Sequence, residues 1–89
     1  KHIGIVVVSA EGASLCYRTI CIEGEKYLGK KYAHPEVSMH TYPFNEYMKY
    51  IEKGDWKRVA DIMLSSAKKL AKIGADFIIC PDNTVHQAF

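Results

Sequence analysis

The chain reads as an α/β protein built on a parallel sheet, and three observations predict that class. An unbroken run, Ile3-Gly4-Ile5-Val6-Val7-Val8, shows no polar alternation, as expected of a strand covered on both faces. A helix-period stripe runs through Trp56, Val59, Ala60, Met63, Leu64, Ala67, Leu70 and Ala71. Short apolar segments alternate with helical ones to give the order β-α-β-α-α-β, which implies parallel strands joined by right-handed crossovers.

Each element has a local reason. After the first strand, Ser9-Ala10-Glu11-Gly12 reads as a small-residue loop. A helix is predicted over residues 13–28, with Leu15, Cys16, Thr19, Ile20 and Tyr27 as its apolar positions. Gly29-Lys30-Lys31-Tyr32-Ala33-His34-Pro35 reads as a loop, and Val37-Ser38-Met39-His40-Thr41 alternates as a second strand. Pro43 opens a short helix whose face is Phe44, Tyr47, Met48 and Ile51. Gly54 interrupts it, and Asp55 suits the N-cap of the long helix. Lys68, Lys69 and Lys72 complement the dipole of that helix, Gly74 supplies a left-handed cap, and residues 77–80 form the third strand.

With 89 residues the sequence makes at most one domain, residues 1–89. Three strands make a poor sheet. The expectation is therefore an incomplete piece of a larger α/β domain, with either a missing C-terminal half or a partner copy in a homo-oligomer to cover the open edge. A net charge of +2 with scattered lysines gives no basic stripe, so no nucleic-acid partner is expected. No apolar run is long enough to span a bilayer, so no membrane partner is expected either. Cys16, Cys21 and Cys80 are an odd count without a C-x-x-C pair. They read as small buried hydrophobes in a reducing compartment, and the expected location is cytoplasmic.

If the strands lie in the order 2-1-3, a flavodoxin-like start to a doubly wound sheet, the loops after strands 1 and 3 border one crevice. Open α/β sheets bind ligands there. Those loops are Val8-Ser9-Ala10-Glu11-Gly12 and Pro81-Asp82-Asn83-Thr84, whose small and polar residues next to helix N-termini suit a carboxylate or phosphate. Plainer readings compete. The first loop matches neither the dinucleotide fingerprint nor the P-loop. Asp82, Asn83 and Thr84 would also serve as simple helix caps. Asp82 and His86 are four residues apart, as at the edge of a metal site, but no third ligand stands at a telling spacing and no metal is expected. Cys80 reads as a core residue or, at a strand end, as a reactive thiolate.

The residues Ile3-Gly4-Ile5-Val6, Tyr17-Arg18, His34-Pro35, Gly54-Asp55-Trp56 and Gly74-Ala75-Asp76-Phe77-Ile78, followed by Pro81, Asn83, Thr84 and His86, form a pattern that covers nearly the whole chain. That pattern resembles the first half of the N-terminal domain of the aspartate/glutamate racemase family. The resemblance implies two similar α/β domains with the active site between them. It also implies proton transfer at the α-carbon of an amino acid such as aspartate or glutamate, without pyridoxal phosphate or any other cofactor. In that family each domain supplies one cysteine thiol, and the two thiols work on opposite faces of the α-carbon.

Here the position of the first catalytic cysteine, between Pro81 and Asn83, is Asp82. Cys80 lies two residues earlier, about 6–7 Å along a strand, too far to replace a base in contact with the α-carbon. The resemblance therefore assigns proton transfer to Asp82, its basicity raised by burial and matched with a cysteine from the missing half. It assigns carboxylate binding to Asn83 and Thr84, with Ser9 adding a contact and His86 in support. The alternatives are a non-catalytic module that binds a small carboxylate, or a related one-thiol isomerase or decarboxylase. The strand-1 loop departs from the family's glycine-rich turn with Met, and Glu11 there would repel a dianionic substrate.

Overall fold

The computed structural model describes residues 1–81, and all structural statements below concern these. The elements are β1 (His2–Val7), α1 (Ala10–Leu28), β2 (Glu36–Thr41), α2 (Phe44–Ile51), α3 (Trp56–Lys72) and β3 (Phe77–Ile79). The three strands form one parallel sheet in the order β2-β1-β3. The expected α/β class and strand order are therefore observed.

The central strand explains its own composition. Every residue of β1 is buried. Alternate side chains go to opposite faces of the sheet. Ile3, Ile5 and Val7 join Ala13 in one core, against which Cys16, Ile20, Val37 and Ile79 pack. Val6 and Val8 join Tyr47, Val59, Met63 and Leu70 in the other. Thus α1 covers one face, and α2 with α3 covers the other, as right-handed crossovers to strands on either side of β1 require. A fully enclosed side chain such as Ile5 contributes roughly 1.5–3 kcal/mol.

Gly4 lies on the α3 side and lets the helix come close. A Cβ at Gly4 would stand 3.0 Å from Ala75 Cβ, 3.2 Å from Leu70 Cβ and 3.3 Å from Ile78 Cγ1. The amino end of the sheet is tied by His2. Its N–H donates to Asp76 Oδ2 at 2.7 Å, Asp76 N–H donates back to the His2 carbonyl at 2.7 Å, and His2 Nε2 pairs with Ser38 Oγ at 2.7 Å. One residue thereby links β1 to β2 and to the residue that leads into β3.

The helix ends follow their caps. The Asp55 carboxylate accepts a hydrogen bond from Arg58 N–H at 3.3 Å, and Gly54 and Gly74 adopt positive φ as expected of residues that end helices. Several expectations are corrected. Residues 10–12 form the first turn of α1 and not a loop, because Ser9 takes the extended N-cap conformation and Glu11 suits the positive helix end. The inward face of α1 runs through Ala13, Cys16 and Ile20, while Leu15, Thr19 and Tyr27 are exposed. On α3, Leu64 and Ala71 are exposed and Ser66, absent from the apolar stripe, is fully buried. β3 ends at Ile79, one residue before Cys80. The three thiols are half-buried and not enclosed. Among the described residues no helix is long and apolar enough to cross a membrane.

Two stability predictions follow from the sheet. Gly4→Ala lowers unfolding free energy by about 1–3 kcal/mol, because the crowding is against Cβ atoms fixed to backbone and not flexible chain ends. Asp76→Ala costs about 1–2 kcal/mol through the lost bond to His2 N–H. Urea titration of each variant checks both, and an unchanged midpoint would contradict the packing and the bond respectively.

Candidate functional site at the strand tips

In a parallel sheet every strand ends on the same side, and the order β2-β1-β3 makes the tips of β1 and β3 neighbours. Their approach can be measured at Gly12. A methyl group replacing its hydrogen would lie 3.4 Å from Ser9 Oγ and 3.5 Å from the Pro81 carbonyl oxygen. The exit of β1, the first turn of α1 and the segment leaving β3 therefore meet at one point, in ordinary van der Waals contact.

Ser9 is the N-cap of α1, and its side chain makes no capping hydrogen bond. Its carbonyl accepts from Ala13 N–H at 3.3 Å, while the first-turn N–H groups lack intrahelical acceptors. Such donors at the positive end of a 19-residue helix favour an anion. Glu11 sits in the same turn and is exposed. Its charge opposes a second negative group on any ligand bound there.

Of the residues assigned from sequence, Ser9 stands at the exit of β1, near the point where Pro81 approaches Gly12. Asp82, Asn83, Thr84 and His86 lie outside the described residues. Cys80 is half-buried and packs against the core shared by α2 and α3. That contact favours the core reading of this thiol. Among the described residues no group of three His, Cys, Asp or Glu side chains is arranged to hold a metal ion.

Polar groups that the sequence reading treated as helix or strand pattern also gather on the α2–α3 face. Tyr47 is fully buried, and its hydroxyl has no hydrogen-bond partner among the described residues. Burial, with Cys80 and Tyr42 adding to it, pushes this phenol up to about 12. Nearer β2, His40 Nδ1 pairs with the enclosed Ser66 Oγ at 2.6 Å, and the Tyr42 hydroxyl pairs with Ser65 Oγ at 2.6 Å. Lys69 Nζ stands 4.6 Å from the centre of the Tyr42 ring, whose plane meets the His40 ring edge-on. The bond to Ser65 and the proximity of Lys69 hold the Tyr42 phenol below its usual range. Burial, then the Lys69 charge, does the same to His40. Serines at positions 65 and 66 carry no sequence signal beyond interrupting an apolar stripe, so these pairings were not legible in advance.

No protein-family model matches the chain.

A pH dependence follows from His40. Its folded-state value lies below its unfolded one, so the unfolded chain binds the proton more readily. The associated stability is present above about pH 6.5 and is lost as pH falls through and below that value. The expected result is that the melting temperature falls more steeply on mild acidification in the wild type than in His40→Gln. Parallel melting curves would contradict the assignment.

Proposed function

We propose that the chain is part of a cofactor-independent amino-acid racemase or isomerase of the aspartate/glutamate racemase type, with its site at the tips of β1 and β3. The observation that carries this reading is the meeting of Ser9, Gly12 and Pro81, which brings the strand-1 exit beside the segment leading into Asp82-Asn83-Thr84. The residues there suit an α-amino carboxylate. The first-turn N–H groups of α1 and the Ser9 hydroxyl offer donors for the carboxylate, and Asn83 and Thr84 offer more. As the α-proton leaves, negative charge moves onto that carboxylate, and preorganised donors stabilise it where it grows.

In this proposal the Asp82 carboxylate takes the α-proton, and the C–H electron pair passes into the carboxylate as an enediolate. A second acid on the opposite face returns a proton to the α-carbon, inverting it. His86 supports Asp82. Cys80 is left out of this proposal because it stands two residues before Asp82 in the chain and packs against the α2–α3 core. Glu11 favours substrates with a single carboxylate over aspartate or glutamate.

The test is proton exchange. The intact protein is incubated with individual amino acids in deuterium oxide and the α-proton signal is followed by NMR. Exchange is expected with at least one amino acid, and Asp82→Asn is expected to slow it by about 100-fold or more. Unchanged exchange in that variant would remove Asp82 from the mechanism. Saturable binding of carboxylates without exchange would show a binding module in place of an enzyme.

A further inference from the structure

Away from the strand-tip crevice, three side chains that can carry chemistry meet on one ridge. Tyr42 follows the last residue of β2, while Ser65 and Lys69 lie four residues apart on one face of α3. Tyr42 Oη and Ser65 Oγ are 2.6 Å apart. The Lys69 ammonium stands 4.6 Å from the centre of the Tyr42 ring and also hydrogen-bonds its oxygen. His40, itself bonded to the enclosed Ser66, meets the same ring edge-on. The phenol is thus fixed by its neighbours, with a serine hydroxyl within reach of a proton transfer.

The hydroxyl pair can be approached, because Tyr42 and Ser65 are both half-buried. Two concavities share Ser65 in their walls. One, of about 470 Å³, has apolar walls at Tyr42, Pro43 and Ile62, and the other, of about 420 Å³, is lined by Lys68, Lys69 and Lys72. Both sizes suit small molecules. Glu46 and Asp61 border the first groove, whereas three ammonium groups face Asp61 alone in the second. An anionic group is therefore better placed in the second. A ligand lying across the ridge would have the Ser65 oxygen between its apolar and its anionic part.

A serine is a weak nucleophile until a base takes its proton. A phenol can be that base where its ionised form is stabilised, and the bond to Ser65 with the Lys69 ammonium does this for Tyr42. We infer that Ser65 is the nucleophile of an esterase site, with Tyr42 as its base, Lys69 as a positioning residue, and esters that join an apolar acyl group to an anionic alcohol as substrates. The Ser65 oxygen bonds to the ester carbonyl carbon while its proton passes to the Tyr42 phenolate. The bond to the leaving oxygen then breaks, and that oxygen takes the proton from Tyr42. Water afterwards gives a proton to Tyr42 and displaces Ser65, which recovers the proton as the acid departs. Nothing in this inference depends on the proposed reaction at the strand tips.

Two measurements on the full chain test it. An alkyl fluorophosphonate, which phosphonylates activated serines, is expected to leave one adduct that maps to Ser65. Hydrolysis of 4-butanoyloxybenzoate and of its neutral methyl ester is followed by absorbance, each corrected for the spontaneous reaction. The carboxylate form is expected to react about fivefold or more faster, a preference lost in Lys68→Gln/Lys72→Gln. Ser65→Ala and Tyr42→Phe are each expected to lower the rate by about 100-fold or more. The groups that face the phenol are Lys69 and Asp61 from α3, His40 from β2, and Glu46 and Tyr47 from α2. Of these only Lys69 is changed in Lys69→Gln, which is expected to move the rise of rate with pH to higher pH. A merely structural lysine would leave that profile in place. No adduct at Ser65, an unchanged rate in Ser65→Ala or Tyr42→Phe, equal turnover of the two esters, or an unmoved profile would overturn the inference.

Discussion

The structure depends on one constraint: β1 must satisfy neighbours on four sides at once. It carries parallel ladders to β2 and β3 and packs side chains against α1 on one face and α2 with α3 on the other. A strand so placed has no position for a charged residue, because an unpaired charge there would lose its hydration without compensation. The β-branched composition of residues 3–8 follows from this, and so does the exception. Gly4 is the position where the helix behind the sheet leaves no room for a side chain.

The two ends of the sheet are treated differently. At the amino end His2 ties β1 to Ser38 of β2 and to Asp76, the residue before β3. At the carboxyl end the chain places small residues and an N-cap hydroxyl without a capping bond. This division is common in open α/β sheets, whose ligands lie outside the carboxyl ends of the strands.

How much could be read in advance depended on how local the cause was. The buried run of β1, the Asp55 cap, the glycines after α2 and α3 and the strand order were legible because each rests on neighbouring residues or on general rules of connection. The start of α1 was misplaced because Gly12 suggested a loop. In the structure that glycine lies in the first turn of α1, beside Pro81, which is 69 residues away by numbering and invisible to a local reading. Ser66 was missed for a related reason: its enclosed hydroxyl is paired with His40, which a different element, β2, brings to it. The place of Ser9 at the exit of β1 was legible from the order of the chain, whereas the clustering of Tyr42, Ser65 and Lys69 required the register of α3 on β2.

Tyr47 shows what enclosure does to a titratable group. A phenol that ionises only near pH 12 stays neutral throughout the range in which proteins ordinarily work. It is therefore disqualified as a proton acceptor by equilibrium and not by distance. Its hydroxyl remains a neutral dipole in the core between β1 and the two helices, and changes of charge on this face fall to His40 and Tyr42.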